Sequence, residues 1–184
     1  EDVIFSFDPP QKCNSVRLKK QSSYCVKTVQ PLQNQILIHY LKSRKLNIEI
    51  CKMYLDEVYY TINQKKYFGV GFKNDKNQYE IRNKYAKLCL GEKWFTWINR
   101  SNKSLVVLES WSDFLSLLSL YPKCEKSKDF LILNSLSMLS KVDNVLNMYA
   151  ELLFALDNDV AGSNATENCL KKWNLGGVRC KDIR

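Results

Sequence analysis

Leu105-Val106-Val107-Leu108-Glu109 runs into Trp111-Ser112-Asp113-Phe114-Leu115-Ser116-Leu117-Leu118, and Leu152-Leu153-Phe154-Ala155-Leu156-Asp157-Asn158-Asp159 runs through Val160-Ala161-Gly162 into a further helical pattern. Each is an apolar run of strand length that ends in carboxylates and turns at once into a helix. Asp129-Phe130-Leu131-Ile132-Leu133-Asn134 reads as another strand, and Gly177-Val178-Arg179-Cys180 as the last. Strand and helix alternate from residue 104 onward, which predicts an α/β fold with a mostly parallel sheet and right-handed crossovers. In such a sheet the carboxyl ends of the strands face the crevice where ligands bind. That makes Glu109, Asp157 and Asp159 the candidate site.

The chemistry of that set points to a divalent cation. Asp157 and Asp159 are two apart, so a strand puts both on one face. Mg²⁺ takes one or two carboxylates and fills its shell with water and substrate phosphates. Glu109 would complete a three-carboxylate cluster, whose members raise one another's pKa unless a cation relieves them. The same ion, Mg²⁺ or Mn²⁺, lowers the pKa of an attacking hydroxyl and stabilises a leaving phosphate oxygen. Gly162 allows a tight turn into the next helix. Each residue also has a plain structural reading. Asp159 or Ser163 could cap the following helix, and Glu109 could be a first-turn acid on a helix dipole. Asp113, inside a helix pattern, and Asn134, at a strand end, are expected to support the ligands rather than act as ligands, as is Gly162.

Outward toward the N-terminus the texture changes. Val58-Tyr59-Tyr60-Thr61-Ile62, Tyr67-Phe68-Gly69-Val70-Gly71-Phe72 and Gln78-Tyr79-Glu80-Ile81-Arg82 are rich in β-branched and aromatic residues, with Asn63-Gln64 and Asn74-Asp75-Lys76-Asn77 between them as turns. This predicts an antiparallel meander. Gly69-Val70-Gly71 is not followed by a helix pattern, so it is no phosphate loop; close backbone approach explains it better. Two short helices are expected ahead of the meander, over 33–44 and 48–54. The lone His39 in the first has no Cys or second His near it and reads as an ordinary histidine. Residues 1–32, with Pro9-Pro10, Lys19-Lys20 and Ser22-Ser23, read as a tether holding at most one short strand. The start at Glu1 suggests a fragment or a processed product. The expected division is 1–32 tether, 33–102 small α+β subdomain and 103–184 α/β domain.

The chain has 184 residues and a net charge of +9, which favours a polyanionic partner. Cations and rings interleave over residues 82–100, the pattern of a nucleic-acid path. Arg82, Lys87 and Lys93 are the candidates for nucleic-acid or nucleotide binding; the rings read equally well as core. No secretory segment and no bilayer-spanning run is present, so no membrane partner is expected. Seven scattered cysteines without a C-x-x-C pair argue for reduced thiols in a cytoplasmic protein.

Leu108-Glu109-Ser110-Trp111-Ser112-Asp113 followed by Leu156-Asp157-Asn158-Asp159-Val160-Ala161-Gly162 resembles the Toprim (Rossmann-like) domain shared by bacterial primases, topoisomerases and some nucleases. The resemblance implies that Glu109 is the catalytic, metal-holding glutamate and that Asp157 and Asp159 are metal-binding aspartates. The primase branch usually has Glu-Gly, then an aromatic, with an Asp four after the Glu; here Ser110 replaces the Gly, while Trp111 and Asp113 are kept. The segment from Tyr40-Leu41-Lys42-Ser43-Arg44 to Tyr79-Glu80-Ile81-Arg82-Asn83 resembles primase-like Toprim proteins of bacterial, Bacteroides-type mobile elements. These usually carry an N-terminal zinc finger. Cys13 and Cys25 lack its spacing, so zinc is expected only in a full-length protein through a finger absent here. The family's later acidic stretch lies past the last strand, and Asp182 is a poor substitute for it by position, so the domain is expected to be truncated at its C-terminus. The implied function is metal-dependent nucleotidyl transfer on DNA, namely primer synthesis. Single-stranded DNA template and nucleoside triphosphates are the implied partners, with a replicative helicase or mobilisation proteins beside them. The alternatives are a Toprim nuclease and a non-catalytic DNA-binding module of a mobilisation complex.

Overall fold

The computed structural model describes residues 24–184. The tether features at Pro9-Pro10, Lys19-Lys20 and Ser22-Ser23, and Cys13, lie outside the described residues. β1 (Tyr24–Pro31) leads to α1 (Gln35–Ser43), α2 (Ile48–Tyr54), β2 (Leu55–Ile62), β3 (Lys65–Lys73), β4 (Tyr79–Arg82) and β5 (Lys87–Leu90). The five strands form one antiparallel meander in chain order. The β2–β3 turn is Asn63-Gln64, with φ of 48° and 68°. That left-handed pair is what a tight hairpin needs to match the strand twist. Gly71 has a packing reason: a Cβ there would stand 2.4 Å from Val58 Cγ2.

The second sheet contains β6 (Thr96–Ile98), β7 (Ser104–Leu108), β8 (Asp129–Ile132), β9 (Glu151–Ala155) and β10 (Arg179–Asp182), in the order β10-β9-β7-β8-β6. All neighbours are parallel except β6, which runs antiparallel to β8. The crossovers carry α3 (Trp111–Leu120), α4 (Cys124–Ser127), a 3₁₀ turn (Leu136–Lys141), α5 (Asp143–Leu146) and α6 (Val160–Leu175). A mostly parallel α/β sheet, preceded in the chain by a separate antiparallel sheet with two short helices, matches the expected fold class.

The sheets divide at other residues than the segment boundaries at 32 and 102. β1 already pairs with β2, and β6 belongs to the second sheet. Every residue of β1 is exposed, so no alternation marks it; the backbone ladder alone makes it a strand. β6 is only three residues long and is held from outside. Thr96 Oγ1 donates to Lys73 O at 3.0 Å, and Asn134 Nδ2 donates to Trp94 O at 2.9 Å.

One core joins the two sheets. Leu37, Leu41, Val70 and Phe72 pack in the same buried cluster as Val106, Leu108, Phe114 and Phe130. Phe114 is fully buried, with ring centroids 4.9 Å from Tyr54, 6.2 Å from Phe72 and 5.0 Å from Phe130. It fixes α3 against α2 and both sheets. Among the described residues no helix is long and apolar enough to cross a membrane.

Candidate metal and phosphate site

The register of the parallel sheet makes the site. β7 and β9 are neighbours with Leu108 opposite Ala155, so the chain leaves both at the same edge. Asp157 N–H then stands 3.4 Å from Glu109 Oε2. Burial first, then the Asp157 charge, pushes the Glu109 carboxyl above its ordinary value, with Asp159 and Asp113 adding to the effect. Asp157 is raised by burial and by Asp113 and Asp159, against the opposing charges of Lys87 and Arg82. Glu109 and Asp157 both feel the charges of Asp113 and Asp159 at this strand edge.

Asp159 carries a second duty. Its Oδ1 accepts from Gly162 N at 2.7 Å, capping α6. The capping weighed from sequence is present for one of its oxygens. Gly162 is forced by space, since a Cβ there would lie 2.1 Å from Asp157 O. The three-carboxylate cluster is not drawn together: among the described residues no three His, Cys, Asp or Glu side chains converge closely enough to hold a metal ion. The cap on Asp159 is the physical reason its side chain is directed to its own helix.

Arg82 comes from β4 in the other sheet and lands on the first turn of α3. Its Nη1 donates to Ser112 Oγ at 2.9 Å, and its guanidinium lies 5.2 Å from the Trp111 ring centroid. Burial draws it below its ordinary pKa, while Asp113 and Asp157 favour its charge. Ser112 Oγ is 2.8 Å from Ser110 Oγ, and Asp113 Oδ2 accepts from Ser110 N at 3.0 Å and Ser110 Oγ at 2.7 Å. Asp113 is thus occupied in closing the helix start, as its place in the helix pattern suggests. Ser110, a departure from the usual glycine, links this closure to Arg82. Sequence reasoning missed Ser112 altogether; a buried serine on a helix gives no signal until its partner is known.

The remaining candidates divide. Lys87 pairs with Arg82 across β4 and β5, and its charge bears on Asp157. Lys93 bears instead on buried Glu80 and on Cys89. Asn134, in the left-handed region at φ 59°, ties β8 to the stretch before β6. Arg184 also went unpredicted. Its Nη1 reaches Ser163 Oγ at 3.0 Å and Asp157 O at 3.4 Å, while Asp182 pairs with it at 2.6 Å.

The donor set fits a hard cation. The Glu109 carboxylate lies at the Asp157 backbone, and both carboxyl pKa values are raised, a shift that a cation would reverse. Mg²⁺ needs no more than one or two such carboxylates from the protein. The charges of Lys87 and Arg82 bear on the same Asp157 carboxyl.

Residues 106–184 match the Toprim-like family, and residues 26–91 match a domain of unknown function, DUF8464. A search of curated proteins finds no match. Among solved structures, the chain is similar to the primase fragment of the bacteriophage T7 primase-helicase protein. That similarity has 15% identity and a TM-score of 0.55, and it covers 90% of this chain and 74% of that one. It is also similar to a chain of a T7 complex of the lagging-strand DNA polymerase with primase domains of two gp4 subunits, bound to an RNA/DNA hybrid and dTTP. There the identity is 13%, the TM-score 0.50, and the coverage 84% of this chain and 85% of that one. The C-terminal part of the chain is thus similar to the Toprim-like family, and the fold as a whole is similar to that of the T7 primase fragment.

Proposed function

We propose that the chain performs metal-dependent nucleotidyl transfer on DNA, and specifically the synthesis of short primers. The carrying observation is the approach of Glu109 and Asp157 at the ends of adjacent parallel strands, with the Arg82 charge from the other sheet bearing on Asp157. Glu109 and Asp157, with Asp159, would hold Mg²⁺ or Mn²⁺. The bound ion would supply charge neutralisation at the transferred phosphoryl group. Glu109 would hold the ion at the primer hydroxyl and help that hydroxyl lose its proton. That oxygen then bonds the α-phosphorus of the incoming nucleoside triphosphate, and pyrophosphate leaves. Arg82, locked by Trp111 and Ser112, and Lys87 would orient the triphosphate, and such orientation is a large share of any phosphoryl-transfer rate. Lys93, set apart with Glu80, would touch the template backbone. The same reading puts single-stranded DNA and nucleoside triphosphates at the site, in the cytoplasm, beside a helicase or mobilisation proteins of a mobile element, with zinc confined to a finger of a longer chain.

One observation favours a second reading. With Asp159 on its helix and no three-ligand cluster among the described residues, the fold would also serve as a DNA-binding module without catalysis. Calorimetric titration with Mn²⁺ separates the two. Wild type should bind saturably, and Asp157→Asn/Asp159→Asn should not. Asparagine still caps a helix, so the loss would not be a folding defect. Binding of single-stranded DNA that survives the double substitution, with no Mn²⁺ binding to wild type even with nucleotide present, would select the module. Plasmid nicking without primer synthesis would select a nuclease.

A further inference from the structure

A groove of about 570 Å³ opens between α1, β3 and the β4–β5 turn, and none of the site carboxylates lines it. Its volume is that of a small-molecule or base site. Its charged lining side chains are Arg44, Lys66 and Lys84, and among the described residues that line it there is no carboxylate. Tyr40, Tyr67 and Tyr85 supply rings. Tyr85 is 88% exposed and Tyr67 42% exposed, so ring surface is open to a ligand. The rings are also positioned. Tyr67 stacks on buried Tyr60 at 5.7 Å between centroids. Asn83 holds the turn, its Oδ1 accepting from Tyr85 N at 2.8 Å and Ala86 N at 2.9 Å, while its Nδ2 donates to Phe68 O at 2.8 Å.

The groove adjoins the carboxylate site through Arg82. That residue precedes the lining residue Asn83 by one position, and its guanidinium feels Tyr40 and Arg44, which line the groove, as well as Asp113 and Asp157 of the carboxylate site. Positive charge without any acid suits a phosphate backbone, and open aromatic faces suit bases that are not already stacked in a duplex. We propose that this groove holds a single strand of DNA beside the carboxylate site, with unpaired bases against Tyr67 and Tyr85 and phosphates on Arg44, Lys66 and Lys84. The inference rests on the DNA reading above and adds the course of the strand to it.

The test is anisotropy of a labelled oligothymidylate on the full chain over a salt series, with Tyr85→Ala and Lys66→Gln/Lys84→Gln. All three residues are exposed, so the fold should survive, and Mn²⁺ calorimetry on each variant checks the carboxylate site separately. Tyr85→Ala should weaken binding by about fivefold or more, the loss of one stacked base. The double lysine variant should lower the slope of log affinity against log salt by roughly 0.7 for each lysine removed. Mn²⁺ binding should match wild type in both. Wild-type affinity and slope in every variant would overturn the groove, as would a protein partner in its place, and would leave the DNA reading standing. Equal binding of a duplex, equally sensitive to these changes, would overturn the single-strand assignment. Failure of wild type to bind the oligonucleotide at low salt would remove both.

Discussion

At position 162 a methyl group has no room. In most helices alanine is about 1 kcal/mol better than glycine, but here its Cβ would press on Asp157 O. Gly162→Ala should therefore destabilise the protein, by about 1–3 kcal/mol, and should weaken Mn²⁺ binding by moving Asp157; thermal unfolding and calorimetry would show both. Arg82 is the other residue whose loss should be specific. Lysine cannot reproduce a planar group stacked on Trp111 and bonded to Ser112. Arg82→Lys should leave the melting temperature within a few degrees of wild type and raise the KM for nucleoside triphosphate severalfold in a primer-synthesis assay. The sequence marks Gly162, because D-x-D-x-x-G carries its own turn logic, and marks Arg82 as a cation. It does not reveal what Arg82 rests on. Trp111 and Ser112 lie thirty residues away, and only the docking of the two sheets brings them to it.

Among the elements, α1 depends on a carboxylate outside it. Glu57 on β2 is buried and accepts from the backbone N–H groups of Gln33 and Asn34, from Gln30 Nε2 at 2.8 Å and from Tyr59 OH at 3.1 Å. Burial opposes its charge, but the Asn34 and Gln33 N–H groups outweigh it and hold the carboxyl below its ordinary value. A depressed acid contributes stability above its unfolded pKa and loses it as pH falls through its folded pKa. Glu57→Gln should thus cost about 1.5–3 kcal/mol at neutral pH. The gap should close as pH falls below about 4.3, the unfolded glutamate value. Urea unfolding at several pH values would show that convergence. The elements of the parallel half are legible because apolar runs, acids and helix patterns recur in phase. β1 and β6 are not: one buries neither face, and the other is too short for any period. Asp129 looks, in the sequence, like no more than the first residue of a strand. It is fully buried and accepts from Arg100 N, Asn102 N, Asn102 Nδ2 and Tyr149 OH, a role no local pattern encodes.

For the whole molecule the decisive fact is the shared core. Because Phe114 touches aromatic rings from α2, β3 and β8, the two sheets should unfold in a single transition. Phe114→Ala should cost about 3–5 kcal/mol and, in differential scanning calorimetry, should lower that transition or split it in two. The neighbour relation of β7 and β9, on which the carboxylate pair depends, is a property at this scale. The alternation of elements predicts a parallel sheet but leaves the strand order open. The seating of Arg82 on Trp111 has a consequence of a different kind. The indole is 2% exposed, and a guanidinium lies against it, so its emission depends on where that cation sits. A triphosphate that drew Arg82 away would change the fluorescence of Trp111, and Trp111→Phe would silence the change. Trp111 would then serve as an optical gauge of occupancy, one that needs no label and no turnover.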